Sequence, residues 1–475
     1  MNKKPAKFDL VVVANRLPVD REVGPDGEAG WRQSPGGLVT GLAPVMKTHD
    51  GAWVGWAGTP DEEIEPFDLD GMRLVPVPLS NDEFTQYYEG FSNATLWPLY
   101  HDVIAPPEFH RTWWDAYLRV NERFAQAAVT VAAENAVIWI HDYQLQLVPG
   151  MIRKLRPDVR IGFFNHIPFP PYEIFAQLPW RKQILHGLLG ADLIGFQRPY
   201  DSANFLRAVR RNVGTVARNG LVRVTDENGE ESHTAKAQSF PISIDAAELE
   251  RLALKPEIQE RARQIREEVG NPEVLMLGVD RMDYTKGIRH RIKAFAELLE
   301  DGALSVGEVT LVQIATPSRE RLEHYKQIRH DVELAVGRIN GEYGGLSTQA
   351  VNYLHHSFPR DEMVAFYLAA DVMLVTALRD GMNLVAKEYV ATRVNHDGAL
   401  VLSEFTGAAD ELRQAVLVNP HDITGLKAGI MKAVEMTPRE SARRMRALRR
   451  RVAEDDVQHW SRMFLETLAG LRRDN

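Results

Sequence analysis

Short apolar runs rich in β-branched residues recur along this chain, separated by longer segments whose apolar residues fall at helical spacing. The clearest runs are residues 10–13, 137–140, 161–164, 193–196, 274–279, 309–314, 372–375 and 399–402. Segments such as 119–133 and 289–299 carry the 3.6-residue period between them. Strands alternating with helices make βα units, and βα units make parallel sheets, so the expected class is α/β. A polar hairpin or loop at 219–232 precedes Pro241, and a charged helix at 256–269 then leads into a fresh strand at Val274. Two α/β domains divided near Pro241 follow from this. The last segment is amphipathic around Trp460, Phe464 and Leu468 and must dock against something.

Composition narrows the partners. The chain has 475 residues and a formal charge of -9, which argues against the basic face that non-specific nucleic-acid or membrane binding needs. The Arg-rich patch at 443–451 reads as a solvated helix face. With no cysteine, disulfides and thiolate metal sites are excluded, and a reducing compartment is expected. The apolar run after Met1 to Lys7 is too short for a signal peptide's core, and nothing approaches the ~18 apolar residues of a membrane span. The sequon Asn93-Ala94-Thr95 is therefore a chance match, and the expected location is cytoplasmic.

The unusual residues sit where strands end. Val13 leads to Asn15-Arg16, Ile140 to His141-Asp142-Tyr143, and Phe164 to Asn165-His166. Val279 leads to Asp280-Arg281-Met282-Asp283-Tyr284-Thr285-Lys286-Gly287, Ile314 to Ser318-Arg319, and Val375 to Asp380-Gly381-Met382-Asn383. Ligands of open parallel sheets bind beyond the carboxyl ends of the strands, so these clusters would line one cleft if the two sheets face each other.

Arg281 and Lys286 on one loop suit a diphosphate whose leaving charge must be stabilised, although a pair of surface cations fits the residues equally well. Asp380-Gly381-Met382-Asn383 opens a helix whose first amides could meet an anion, with Glu388 placed to grip ribose hydroxyls. On residues alone, an N-cap Asp with a surface Glu is the plainer reading. Ser34-Pro35-Gly36-Gly37-Leu38, after the loose stretch 22–30, suits a mobile glycine loop meeting phosphate. Neither a Walker motif nor Gly-x-Gly-x-x-Gly occurs, nor a Gly-x-Ser-x-Gly elbow. Asp68-Leu69-Asp70 matches a metal-binding string of sugar transferases but reads as a surface turn. His141-Asp142 lacks the further clusters of a metal phosphohydrolase.

Several longer strings resemble the trehalose-6-phosphate synthases, retaining glycosyltransferases of family 20. They are Asn15-Arg16-Leu17-Pro18, Ser34-Pro35-Gly36-Gly37-Leu38, Phe91-Ser92-Asn93-Ala94-Thr95-Leu96-Trp97-Pro98, Trp139-Ile140-His141-Asp142-Tyr143 and His166-Ile167-Pro168-Phe169-Pro170. The loop 280–287, Arg338-Ile339-Asn340-Gly341 and the string 379–389 continue the match, in order, from about residue 8 to about 465. The resemblance implies two facing Rossmann-like domains, the GT-B glycosyltransferase fold, with the active site in the cleft between them. Residues 1–240, joined by a C-terminal helix 457–475, would bind the acceptor, and residues 241–456 the nucleotide sugar.

It also implies a nucleotide-glucose donor (UDP-glucose first, ADP- or GDP-glucose as alternatives) and a glucose 6-phosphate acceptor, with no cofactor and no metal. Gly37, Arg281, Lys286, Asn383, Leu384, Val385 and Glu388 would hold the nucleotide diphosphate, and His166 and Asp380 the transferred glucose. The catalytic set is thus His166, Arg281, Lys286 and Asp380. Arg16, Tyr88, Trp97, Asp142 and Arg319 would hold the acceptor, the two arginines on its phosphate. A homo-oligomer, dimer or tetramer, is expected for this type of transferase. The rival readings are a transferase of the same fold with another sugar acceptor and a silent sugar-phosphate sensor; filled pocket positions favour the enzyme.

Overall fold

The computed structural model describes residues 7–23, 29–34, 39, 42, 45–46, 51–214, 219–225, 230–346 and 348–471. The chain divides into two compact units, Met1–Pro241 with Gln458–Asn475, and Ile242–Val457.

The first unit carries the strands β1 (Phe8–Arg16), β2 (Val19–Val23), β3 (Ala29–Gln33), β4 (Ala52–Trp56), β5 (Phe67–Leu69), β6 (Met72–Pro76), β7 (Ala132–His141), β8 (Arg160–Asn165), β9 (Leu193–Phe196), β10 (Leu221–Thr225) and β11 (Glu231–Ser239). Nine form one sheet in the order β10-β11-β9-β8-β7-β1-β4-β6-β5. Its interior pairs are parallel; only the outer pairs β10/β11 and β5/β6 are antiparallel. Counting parallel strands alone, the order is third, second, first, fourth, fifth, sixth, with β11 added beyond. That is the doubly wound arrangement, and its order reverses between β1 and β7. Parallel strands covered on both faces read as unbroken apolar runs. Accordingly β4 and β9 are buried at every position, and β1 at six consecutive ones.

Two expected features take definite form here. The stretch 22–30 is not simply loose, because Glu22 pairs with Gly30 and Val23 with Ala29 in an antiparallel β2/β3 hairpin. Trp31 anchors that hairpin by stacking on Phe67 at 5.4 Å. Residues 24–28 lie outside the described residues. In Asp68-Leu69-Asp70, Asp70 and the following Gly71 both adopt positive φ, which makes a two-residue turn joining β5 to β6. Asp68 pairs with Arg73 at 3.1 Å on the surface.

The helix Val457–Gly470 packs on the first unit's sheet through Trp460, Phe464 and Leu468, each at most 2% exposed. Phe464 stacks on Trp139 with centroids 4.6 Å apart and meets Phe240 edge-on at 5.2 Å. Gly162 and Gly195 make the room: an added Cβ would lie 2.7 Å and 2.8 Å from the Phe464 ring, respectively. Phe464→Ala should therefore cost about 3–5 kcal/mol, the usual loss for a fully buried phenylalanine. Thermal unfolding monitored by circular dichroism checks this, and an unchanged Tm would mean that the helix contributes no core.

The second unit is a six-stranded, all-parallel sheet of β12 (Val274–Arg281), β13 (Val309–Thr316), β14 (Val351–Leu354), β15 (Val372–Val375), β16 (Ala399–Ser403) and β17 (Val416–Val418). Its order, β14-β13-β12-β15-β16-β17, is again third, second, first, fourth, fifth, sixth, reversing between β12 and β15. Its core joins Met276, Leu311, Val372 and Val401 of the strands to Ile292, Phe295 and Leu426 of the covering helices. The Arg-rich patch lies on the helix Pro438–Glu454. Arg444, Arg449 and Arg451 are ion-paired there, whereas Arg443, Arg446 and Arg450 are exposed. Among the described residues no helix is long and apolar enough to cross a membrane.

Candidate active site

In a doubly wound sheet the strand-order reversal splays two neighbouring loops apart and leaves a crevice at the carboxyl ends. Arg16 and Asp142 lie at or just after the ends of the two strands that flank the reversal of the first unit, and Arg281, Lys286 and Asp380 at or after the two that flank that of the second.

In the first unit β1 ends at Asn15-Arg16. Asn15 is buried and its Oδ1 accepts from the Tyr87 hydroxyl at 2.8 Å. The Arg16 guanidinium lies 5.3 Å from the Trp56 ring and pairs with Asp20 at 3.2 Å, with 44% of its side chain exposed. A Cβ on Gly58, at φ +93°, would meet that guanidinium and displace it. From Trp56 the rings continue to Phe84 at 5.1 Å and on to Tyr88 at 5.3 Å. Arg16 and Tyr88, separated by 72 positions, thus sit at opposite ends of one aromatic ladder.

Tyr88 belongs to a π-helical segment, Phe84–Leu96, whose final turn is closed by the Trp97 amide donating to Ser92 O five residues back. Such wide turns are rare and concentrate at functional sites. Trp97 is buried, with its ring 4.1 Å from His101 and 5.7 Å from Tyr143.

At the other side of the reversal, Asp142 follows β7 with φ +75°, an uncommon backbone state for a non-glycine residue. Its amide donates to Phe164 O at 2.8 Å, and its Oδ1 accepts from the His166 amide at 3.1 Å. Asp142 therefore ties the end of β7 to the end of β8. His166 is half-buried, and burial pushes its imidazole down to about 3, so it is neutral at physiological pH.

In the second unit the end of β12 and the loop after it carry Arg281, Asp283 and Lys286. Asp283 is fully buried and accepts from the Thr285 amide at 3.0 Å and the Thr285 hydroxyl at 2.9 Å. Burial alone would push this carboxyl up, but Arg319, Arg281 and Lys286 outweigh it and hold it below the usual range. Arg319, at φ +49°, lies 3.4 Å from Asp283 and also reaches the Tyr325 hydroxyl; only 6% of its side chain is exposed. It is more enclosed than its expected phosphate role suggested.

Lys286 Nζ donates to Asp380 Oδ2 at 2.6 Å, and Asn383 Nδ2 donates to the same oxygen at 3.1 Å. The cation after β12 and the carboxylate after β15 thus meet across the reversal. Gly287 follows at φ +65°, and a Cβ there would collide with the Thr376 carbonyl oxygen. Gly287→Ala should cost at least ~2 kcal/mol, from left-handed strain plus that collision. Denaturant titration would show it, and an unchanged midpoint would contradict the geometry.

The helix near the second reversal starts at Leu384, and its N-cap is Asn383, not Asp380: Asn383 Oδ1 accepts from the Ala386 amide at 3.1 Å. Asp380 is instead held by Lys286 and Asn383. Leu384 and Val385 open the helix, where amides lack intrahelical acceptors and the dipole favours an anion. Glu388 is half-buried, accepts from the Tyr367 hydroxyl at 2.8 Å, and is pushed up by burial despite that bond. Its neighbour Lys387 is buried against Glu411 at 2.6 Å. Gly37 lies outside the described residues.

Several supporting residues carried no expected role. Asp283 lay within the quoted loop but looked like any loop acid. Tyr325 and Tyr367 lie in helices and gave no signal. Beneath the loop, Arg291 is fully buried, with Asp280 at 2.6 Å, Gln313 at 2.7 Å and Thr376 at 3.1 Å. Gly278 is constrained by this network, since a Cβ there would run into Arg291 and Gln313.

Two doubly wound sheets, each with charged groups at its reversal, place the chain among glycosyltransferases of the GT-B fold. An α,α-trehalose-phosphate synthase (UDP-forming) from Burkholderia xenovorans, in complex with glucose-6-phosphate, superposes with a TM-score of 0.88 at 34% identity, covering 97% of this chain and 100% of that one. A structure from E. coli bound with UDP-2-fluoro glucose gives 0.87 at 35% identity, covering 98% and 99%. Residues 8–470 match the model of glycosyltransferase family 20, and the chain belongs to that family. The trehalose-6-phosphate synthase of Mycolicibacterium smegmatis is 59% identical over 464 residues, spanning 97% of this chain and 92% of that protein.

Proposed function

We propose that the enzyme transfers glucose from a nucleotide-glucose, UDP-glucose first, to glucose 6-phosphate, giving α,α-trehalose 6-phosphate. The observation that carries this reading is the Lys286–Asp380 pair at 2.6 Å, with Arg281 ending β12 five residues before Lys286 and the Leu384–Thr392 helix opening four residues after Asp380. Cations and helix amides match a diphosphate, while an acceptor-only carboxylate and a neutral imidazole match sugar hydroxyls. The names of the smegmatis relative and of the Burkholderia complex support the same substrates.

In this reading Arg281, Lys286, Asn383, Leu384, Val385 and Glu388 hold the donor nucleotide, with Gly37 completing the phosphate contacts. His166 and Asp380 hold the transferred glucose. Arg16, Tyr88, Trp97, Asp142 and Arg319 hold the acceptor, with Arg16 and Arg319 on its phosphate. The first unit is then mainly the acceptor side and the second the donor side. A homo-oligomer working in the cytoplasm completes the proposal.

An α-configured donor and an α,α product demand retention. A double displacement needs a carboxylate nucleophile at the anomeric carbon. Asp380 already accepts from Lys286 and Asn383, which suits it to gripping hydroxyls and weakens it as a nucleophile. The reaction therefore runs on the front face: the acceptor hydroxyl attacks as the sugar–phosphate bond breaks, and its proton passes to the leaving phosphate oxygen. Arg281, Lys286 and the helix amides stabilise the developing phosphate charge without a metal.

A nucleotide-release assay with UDP-, GDP- and ADP-glucose in turn tests the proposal. Release that requires glucose 6-phosphate and persists in EDTA is the expected result. Release without an acceptor, or none with any donor, would overturn it.

A further inference from the structure

His141, the last residue of β7, is 1% exposed, and its Nδ1 lies 3.1 Å from His166 Nε2. The two rings are 5.3 Å apart and near-parallel. Trp139 packs at 4.8 Å from the His141 ring and Trp460 at 6.5 Å, while Phe164 and Trp460 close on His166. Burial pushes both imidazoles down, with His166 adding to the effect on His141, so both are neutral. One proton therefore occupies the Nδ1···Nε2 contact, and it belongs to one ring or the other.

The two arrangements differ at His141 Nε2, a buried atom with no hydrogen-bond partner. If His166 Nε2–H were the donor, His141 would carry its proton on Nε2 and strand a buried N–H. If His141 Nδ1–H is the donor, Nε2 is only an unused lone pair. Stranded donors are the rarer and costlier defect. The ring contacts of His141 sharpen the choice, because the indole nitrogens of Trp139 and Trp460 are themselves buried donors without acceptors. A third unpaired donor among them is unfavourable, whereas a lone pair is compatible with both.

We propose that His141 is a positioning residue that fixes His166 as the Nδ1–H tautomer, so that His166 presents a hydrogen-bond donor to an oxygen of the transferred sugar. This rests on the reading of His166 as a sugar-binding residue. The division of labour follows: His166 donates to a sugar oxygen, and Asp380, which can only accept, receives hydrogen bonds from sugar hydroxyls. The Asp142 carboxylate, accepting from the His166 amide, fixes the backbone of the same residue.

Nitrogen-15 spectra of the full-length enzyme labelled on histidine read the tautomers directly, with His166→Gln and His141→Asn assigning the signals. The expected result is a protonated Nδ1 and a bare Nε2 on both residues. His141→Leu removes the donor and should lose ~10- to 100-fold in kcat, the scale seen when a second-layer partner that orients a histidine is removed. His141→Asn places an amide N–H near the Nδ1 position and should retain activity within about threefold. A protonated Nε2 on His166 would overturn the proposal, and so would a His141→Leu enzyme as fast as wild type. The parent reading fails separately: His166→Ala at the wild-type rate would remove His166 from the sugar site, and the positioning role with it, even with the tautomer as expected.

Discussion

Replacing Arg281 by alanine is expected to lower kcat by at least ~100-fold, the scale on which loss of one preorganised electrostatic stabiliser is felt. Arg281 closes β12 at the strand-order reversal and is exposed, and Lys286, five residues on, pairs with Asp380. When the bond to the diphosphate breaks, negative charge grows on the leaving phosphate. In the proposed mechanism Arg281 meets that growth, so its effect should fall on the transition state more than on ground-state binding. The side chain is exposed, and Arg319 and Lys286 remain beside Asp283, so the variant should still fold, which circular dichroism checks. Steady-state kinetics with saturating donor and acceptor decide the matter; a near-normal kcat would remove Arg281 from the mechanism.

Replacing Arg319 should raise the acceptor KM strongly, by ~10- to 100-fold for loss of charge-assisted hydrogen bonds to a phosphate. Alanine alone is ambiguous here, because Arg319 also pairs with fully buried Asp283. Stripping one partner from a buried ion pair can itself cost about 3–5 kcal/mol. Lysine separates the two effects. It keeps a cation near Asp283 but lacks the planar fork that grips phosphate bidentately. Arg319→Lys should therefore fold with a Tm close to wild type yet retain an acceptor KM at least ~10-fold raised. Unchanged acceptor KM in both variants would reject the phosphate role and leave Arg319 as the counter-charge of Asp283.

What the sequence disclosed follows from the same physics. The strands that stood out, β1, β7, β8, β9, β12, β13, β15 and β16, are the central ones, buried on both faces and therefore unbroken apolar runs. Those that escaped notice break that pattern for identifiable reasons. β4 mixes Trp and Gly, β17 has three residues, and β11 is polar apart from buried Ala235 and Ala237. Strand-end loops announced Arg16, Asp142, His166, Arg281, Lys286 and Asp380 because polar clusters directly after apolar runs are conspicuous. The pairing of Lys286 with Asp380 across 94 positions was invisible, since it depends on β15 lying beside β12. The same holds for Tyr367 under Glu388 and for His141 against His166: each arises from packing between elements distant in sequence. On residues alone the cap of the Leu384–Thr392 helix reads as Asp380, whereas the capping residue is Asn383, three positions further on. The Asn383 side chain accepts from the Ala386 amide, while the Asp380 carboxylate accepts from Lys286.

The most direct test of the central account is proton NMR of the sugar product formed from UDP-glucose and glucose 6-phosphate by the purified enzyme. The account predicts a single disaccharide phosphate joined 1,1 with both anomeric protons showing the small coupling of α linkages, and no glucose released by hydrolysis. A β-linked or differently joined product, or free glucose alone, would contradict it.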